Sequence, residues 1–165
     1  MAEIFKCVLF GRPCTGKSSF INLLANGNFN HEAPYELDDP ENIGLHQQVS
    51  IYVHNRQMDF DILETNNIDA TPIFQNAHCI IFITISIFDI INNLGALMTK
   101  YQNIPIVVCE NVIHHYDRDK IPGNSIYGIP LCNISLNENR NVLAPFEILH
   151  NLLLNSPDQS GPSFD

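Results

Sequence analysis

Residues 11–18 read Gly-Arg-Pro-Cys-Thr-Gly-Lys-Ser, the spacing GxxxxGK[ST], and they sit between a continuous apolar run, Ile4–Phe10, and an amphipathic stretch that begins at Ser19. That context imposes a strand, a tight loop and a helix in that order. A loop of this form directs backbone N–H groups at a phosphate, and the helix behind it presents the positive end of its dipole. Lys17 then reaches the β- and γ-oxygens, and the Ser18 hydroxyl is a candidate Mg²⁺ ligand. The candidate ligand contacts are therefore Gly11, Pro13, Cys14, Thr15, Gly16, Lys17, Ser18 and Ser19.

The hydrophobic pattern downstream extends the same architecture. Runs at 79–85 and 104–109 are, like 4–10, continuous rather than alternating, as in parallel strands buried on both faces. Residues 49–53 and 59–63 alternate instead, and His54-Asn55-Arg56-Gln57 between them predicts a hairpin at one sheet edge. Ile87, Ile90, Ile91, Leu94, Leu97, Met98 and Tyr101 recur at helical spacing, as do Val142, Phe146, Leu149 and Leu153. Residues 131–134 read as a last short strand. The expected fold is α/β, a mixed, mainly parallel six-stranded sheet with helices on both faces and a ligand site at the C-terminal strand ends. Residues 28–48 form a long polar stretch with no evident element. One domain over 1–155 and a polar tail over 156–165 are expected.

Composition narrows the partners. The formal charge of −10 leaves only 8 Lys+Arg with no basic run, which argues against nucleic acid or an anionic membrane as a partner. No leader precedes Phe5 and no apolar run reaches membrane-spanning length, so a cytoplasmic or nuclear, unanchored protein is expected. Four of the five cysteines, Cys7, Cys79, Cys109 and Cys132, lie in or beside apolar runs and read as small hydrophobes, reduced in either compartment. The adjacent His114 and His115 lack a third ligand at metal spacing.

Three segments carry a family resemblance: Phe-Lys-Cys-Val-Leu-Phe-Gly at 5–11, Asn-Ile-Pro-Ile-Val-Val-Cys at 103–109, and Asn133-Ile-Ser135 followed by Asn139, Asn141, Pro145, Phe146, Leu149, Leu153 and Pro157. Together with the loop they make the chain similar to the small GTPases of the Ras superfamily, most of all to the Ran family of nuclear-transport GTPases. The likeness is good at both ends and poor from the 30s to the 70s. It implies the small-GTPase-like fold, GTP or GDP with Mg²⁺ as cofactor, Ser18 and Glu64 beside the metal, and Asn111, Ser135 and Leu136 beside the base.

The departures matter as much. The family's metal-binding switch Thr has no counterpart, because no Thr occurs between Thr15 and Thr65. Its DTAGQ corresponds to Glu64-Thr65-Asn66-Asn67-Ile68, which keeps an acid but loses the Gly and the water-orienting Gln. Its guanine-reading NKxD becomes Asn111-Val112-Ile113-His114, so the bidentate Asp is gone, a loss of about 3–5 kcal/mol in base recognition. Leu136 replaces a small Ala in the base-contacting SAK motif. Asn111 either contacts the base or braces the loop, and Glu64 is either a metal ligand or a solvated turn residue; the residues alone leave both open. The basic stretch before Ran's last strand and its acidic tail are also missing. The resemblance thus implies a pseudo-GTPase that binds a protein partner through 28–48 and 64–76, with weak or no nucleotide binding. The alternative it implies is a divergent GTP-binding protein with slow hydrolysis, linked to nucleocytoplasmic transport.

Overall fold

The computed structural model describes residues 3–26, 43–112 and 124–154. The strands are β1 (Ile4–Phe10), β2 (Ile43–Val53), β3 (Arg56–Thr65), β4 (Cys79–Thr84), β5 (Ile106–Asn111), β6 (Ser125–Ile126) and β7 (Ile129–Ile134). The helices are α1 (Lys17–Asn26), α2 (Thr71–Gln75), α3 (Ile87–Lys100) and α4 (Ala144–Leu154). The strands join in one sheet ordered β2-β3-β1-β4-β5-β7-β6. Pairing is parallel from β3 through β1, β4 and β5 to β7, and antiparallel at the two edges, β2 on β3 and β6 on β7.

The continuous apolar runs become strands with a core on each side. In β1, Phe5, Cys7 and Leu9 point to one face and join Phe20 of α1, Phe60 of β3 and Phe146 and Leu149 of α4. Val8 and Phe10 point to the other and join Phe74 of α2 and Ile90, Leu94 and Leu97 of α3. A strand that must be apolar on both faces cannot alternate, which is why these runs read clearly. Helix α3 starts where the Ser86 hydroxyl accepts the Phe88 N–H at 3.1 Å, an N-cap that satisfies one of the helix's orphan donors.

Several expectations are corrected. The sheet has seven strands rather than six. The additional one, β6, is two residues long and reaches β7 through Tyr127 and Gly128, both at positive φ. Such a strand is too short to show a period, and only its X-Gly turn hinted at it. The stretch 28–48 is not without an element: β2 already begins at Ile43 and pairs with Thr65. Its first residues, Ile43-Gly44-Leu45, are cut off from the alternating 49–53 by His46-Gln47-Gln48 and by a register shift between Ile43 and His46, so no continuous period marks the start of the strand. The turn 64–76 contains the five-residue α2, with Pro in its first turn. The hairpin between β2 and β3 is as expected, and tighter: His54 and Asn55, both at positive φ, form a two-residue turn that fixes Val53 opposite Arg56. Residues 28–42 of the polar stretch, His114 and the tail 156–165 lie outside the described residues.

Candidate functional site at the carboxyl ends of the strands

The loop between β1 and α1 is built by close contacts that begin at Gly11. Its N–H donates to the Thr65 carbonyl at 3.3 Å, and a Cβ there would meet the Ile83 carbonyl oxygen at 2.5 Å. Only glycine lets the chain pass between the ends of β3 and β4. Cys14 and Gly16 both take positive φ, 67° and 101°. Gly16 has the left-handed freedom by nature; Cys14 holds that conformation against its own Cβ. Pro13 and Cys14 are exposed, Thr15 and Lys17 are buried, and Ser18 and Ser19 lie half-buried in the first turn of α1.

The loop's polar groups find partners within the chain. The Arg12 carbonyl accepts from the Thr15 hydroxyl at 2.9 Å and from the Lys17 ammonium at 2.8 Å. The Ser18 hydroxyl donates toward both oxygens of the Glu64 carboxylate, at 2.8 and 3.1 Å. Glu64 is fully buried at the end of β3, which excludes the solvated-turn reading. The backbone of Gly44 lies directly on it: a Cβ at that position would stand 2.0 Å from a carboxylate oxygen.

Asn111 ends β5 and ties three segments together. Its amide donates to the Thr15 carbonyl at 3.2 Å, and its carbonyl oxygen accepts the Leu136 N–H at 3.3 Å. Between the two alternatives left open by the sequence, the geometry favours the brace. Gly16 sits beneath it, where a Cβ would lie 2.9 Å from the Asn111 amide nitrogen and from a Leu136 methyl. Leu136 is 1% exposed and belongs to the core shared with α1 and α4. Ser135 is buried too, with its backbone paired to Arg140 and its hydroxyl accepting the Glu138 N–H at 3.3 Å. The sequence-predicted residues Gly11–Ser18, Glu64, Asn111, Ser135 and Leu136 therefore gather at the carboxyl ends of β1, β3, β5 and β7.

One member of the assembly was not foreseen. The Arg12 guanidinium pairs with Asp89 of α3 at 2.9 Å, and that hydrogen bond raises the arginine pKa further. Asp89 is buried and also accepts from the Thr84 hydroxyl at 3.3 Å. No local pattern signals a contact between residues so distant in sequence.

Ser18 and Glu64 are the residues that would hold a Mg²⁺ at this site. A serine oxygen that donates its proton to a carboxylate keeps a lone pair for a cation. Two donors fall short of the six oxygens Mg²⁺ takes, so phosphate oxygens and water must supply the rest. Among the described residues no group of three or more His, Cys, Asp or Glu side chains is arranged to hold a metal ion.

A separate hollow of about 310 Å³ opens where α2 leaves the sheet uncovered, with Val8, Leu63, Pro72 and Ile73 among its apolar walls and Lys6, His46 and Asp61 among its polar ones. No protein-family model matches this chain, and the curated proteins likewise give no match to it.

Proposed function

We propose that this chain is a Ran-like pseudo-GTPase: a small-GTPase-fold protein that keeps the phosphate-binding loop, lacks the groups for hydrolysis and guanine selection, and acts as a protein-interaction module. The observation that carries this reading is the state of the base-reading groups. Both ends of the Asn111 amide and the Leu136 N–H are committed to one another and to the loop, so the donor that would meet a guanine O6 already has an acceptor. Leu136 brings a large side chain where the family has a methyl group. Any nucleotide is then held by its phosphates, through the loop N–H groups and Lys17, with Mg²⁺ supplying charge neutralisation at Ser18 and Glu64 when it accompanies them. Hydrolysis has no water-positioning side chain, because Asn67 and Ile68 stand in the turn where the family places Gly and Gln.

The partner surface in this reading comprises 28–48 and 64–76. Its described part includes Pro72, Ile73 and Asn76, which border the hollow beside α2, and Pro72 and Ile73 offer apolar surface there to a protein side chain. The buried, free cysteines suit a reducing compartment, cytoplasm or nucleus. A second reading, a divergent GTP-binding protein with slow turnover, is favoured by one feature: an acid still reaches the Ser18 hydroxyl at 2.8 Å.

Competition binding separates the two. GDP and ADP should compete for the loop with affinities within about tenfold, under 1.4 kcal/mol, and single-turnover hydrolysis of γ-labelled GTP with Mg²⁺ should be no faster than the intrinsic rate of an unassisted small GTPase. Strong preference for GDP, or stoichiometric guanine nucleotide released from the purified, denatured protein, would establish the second reading instead.

A further inference from the structure

The hollow beside α2 has a floor with two unlike rows. Side chains two residues apart on a strand share a face, so Lys6 stands with Val8 on β1 and Asp61 with Leu63 on β3. The register pairs Lys6 with Asp61 and Val8 with Leu63, which makes one row charged and the next apolar. The wall is apolar as well: Pro72 and Ile73 come from α2, and Ala77 follows it.

The charged row does not satisfy itself. Lys6 and Asp61 are neighbours on paired strands, yet no ion pair joins them. Asp61 turns instead to β2, where its Oδ1 lies 2.5 Å from the His46 Nε2. Among the described residues, neither the Lys6 ammonium nor the Asp61 Oδ2 has a partner. A free cation and a free carboxylate oxygen therefore stand side by side at one end of an apolar hollow.

We propose that the hollow binds a free α-amino acid with a branched apolar side chain, of the size of leucine or isoleucine. Its carboxylate meets the Lys6 ammonium, its ammonium meets Asp61, and its side chain lies among Val8, Leu63, Pro72 and Ile73. The volume sets the size, since about 310 Å³ is at the bottom of the range of roughly 300–1,000 Å³ in which pockets hold small molecules. Charge sets the class. A purely anionic head would meet Asp61 and a molecule of charge −10, and a purely cationic head would meet Lys6. A zwitterion is neutral overall and answers both groups. An amino acid carries its two charges on one carbon, which suits side chains that leave strands about 4.8 Å apart. This site does not depend on the pseudo-GTPase reading. A partner side chain at Pro72 and Ile73 would use the same apolar walls, so the amino acid and the partner compete for them.

Titration of L-leucine into the isotope-labelled full chain, followed by amide NMR shifts, tests this. The shifts should cluster at 6–8, 61–63 and 72–77 and saturate with a Kd on the order of 1 mM, as so small a ligand allows. Isocaproate lacks the ammonium, isoamylamine lacks the carboxylate and glycine lacks the side chain; each should bind at least about fivefold more weakly than leucine. Lys6→Gln and Asp61→Asn should each weaken leucine by a similar factor while the rest of the spectrum keeps the wild-type pattern. The absence of saturable shifts at about 20 mM leucine, or saturable shifts elsewhere in the chain, overturns the proposal. So does an analogue that binds as tightly as leucine, or leucine binding that is unchanged in either variant.

Discussion

Asn111 joins the loop, the end of β5 and the start of the segment after β7 through one amide, so its removal reaches all three. Asn111→Ala would leave the Thr15 carbonyl and the Leu136 N–H without their partner in a buried setting. The expected loss is about 2–4 kcal/mol of unfolding free energy, read from urea titration. An unchanged midpoint would show that water replaces both bonds. The side chain was recognisable from the sequence as a site residue, but its role was not, because an amide that donates and accepts serves a base and a backbone equally well. Arg12 shows the opposite limit: it occupied an unremarked position of the loop motif, and only the packing of α3 against the strand ends gives its guanidinium a buried carboxylate.

At the scale of elements, the strands that were legible are those that are apolar on both faces. β1 and β4 could be bounded closely from composition alone, while the edges of the sheet could not. The start of β2 carries a register shift between Ile43 and His46 and β6 is two residues long, so neither has a period to read. Yet β2 is anchored by a specific contact, Gly44 against Glu64, which no pattern of hydrophobicity encodes. Gly44→Ala places a methyl group into that carboxylate. Either Glu64 leaves Ser18 or the first residues of β2 lift from β3, at a cost of about 1–3 kcal/mol. Hydrogen exchange should report faster exchange at 43–49 than in the wild type, and equal protection there would mean that the carboxylate moves aside freely.

Across the whole molecule, thiols meet in pairs between neighbouring strands within one core, the one shared with α1 and α4. Cys7 stands opposite Cys79 on β1 and β4, and Cys109 lies 3.4 Å from Cys132 on β5 and β7. The hydrogen bond with Cys7, then burial, raises the Cys79 pKa well above 9.0; for Cys109 the order is burial, then the Cys132 contact. Both thiols therefore stay protonated in the native state after the unfolded chain has begun to ionise. Their contribution is complete below the unfolded value near 9.0 and declines as pH rises toward the folded one. Each thiol should lower stability by up to about 1.4 kcal/mol per pH unit above that point. Urea midpoints at pH 8 and pH 9.5 should fall more steeply for the wild type than for a Cys79→Ala, Cys109→Ala double variant, in which lysines and tyrosines still titrate. Parallel slopes would show that the buried thiols do not govern the alkaline limit.

The strand order carries a consequence in time. β1 leaves the ribosome before β3 and β4, and it ends up between those two, neither of which is its neighbour in the chain. Its apolar side chains on both faces must therefore wait, uncovered, until residue 84 has been made. During synthesis the chain passes through a long interval in which its best core strand has no sheet to join, and contacts this distant close slowly. A nascent chain of this design depends on whatever shields β1 until then.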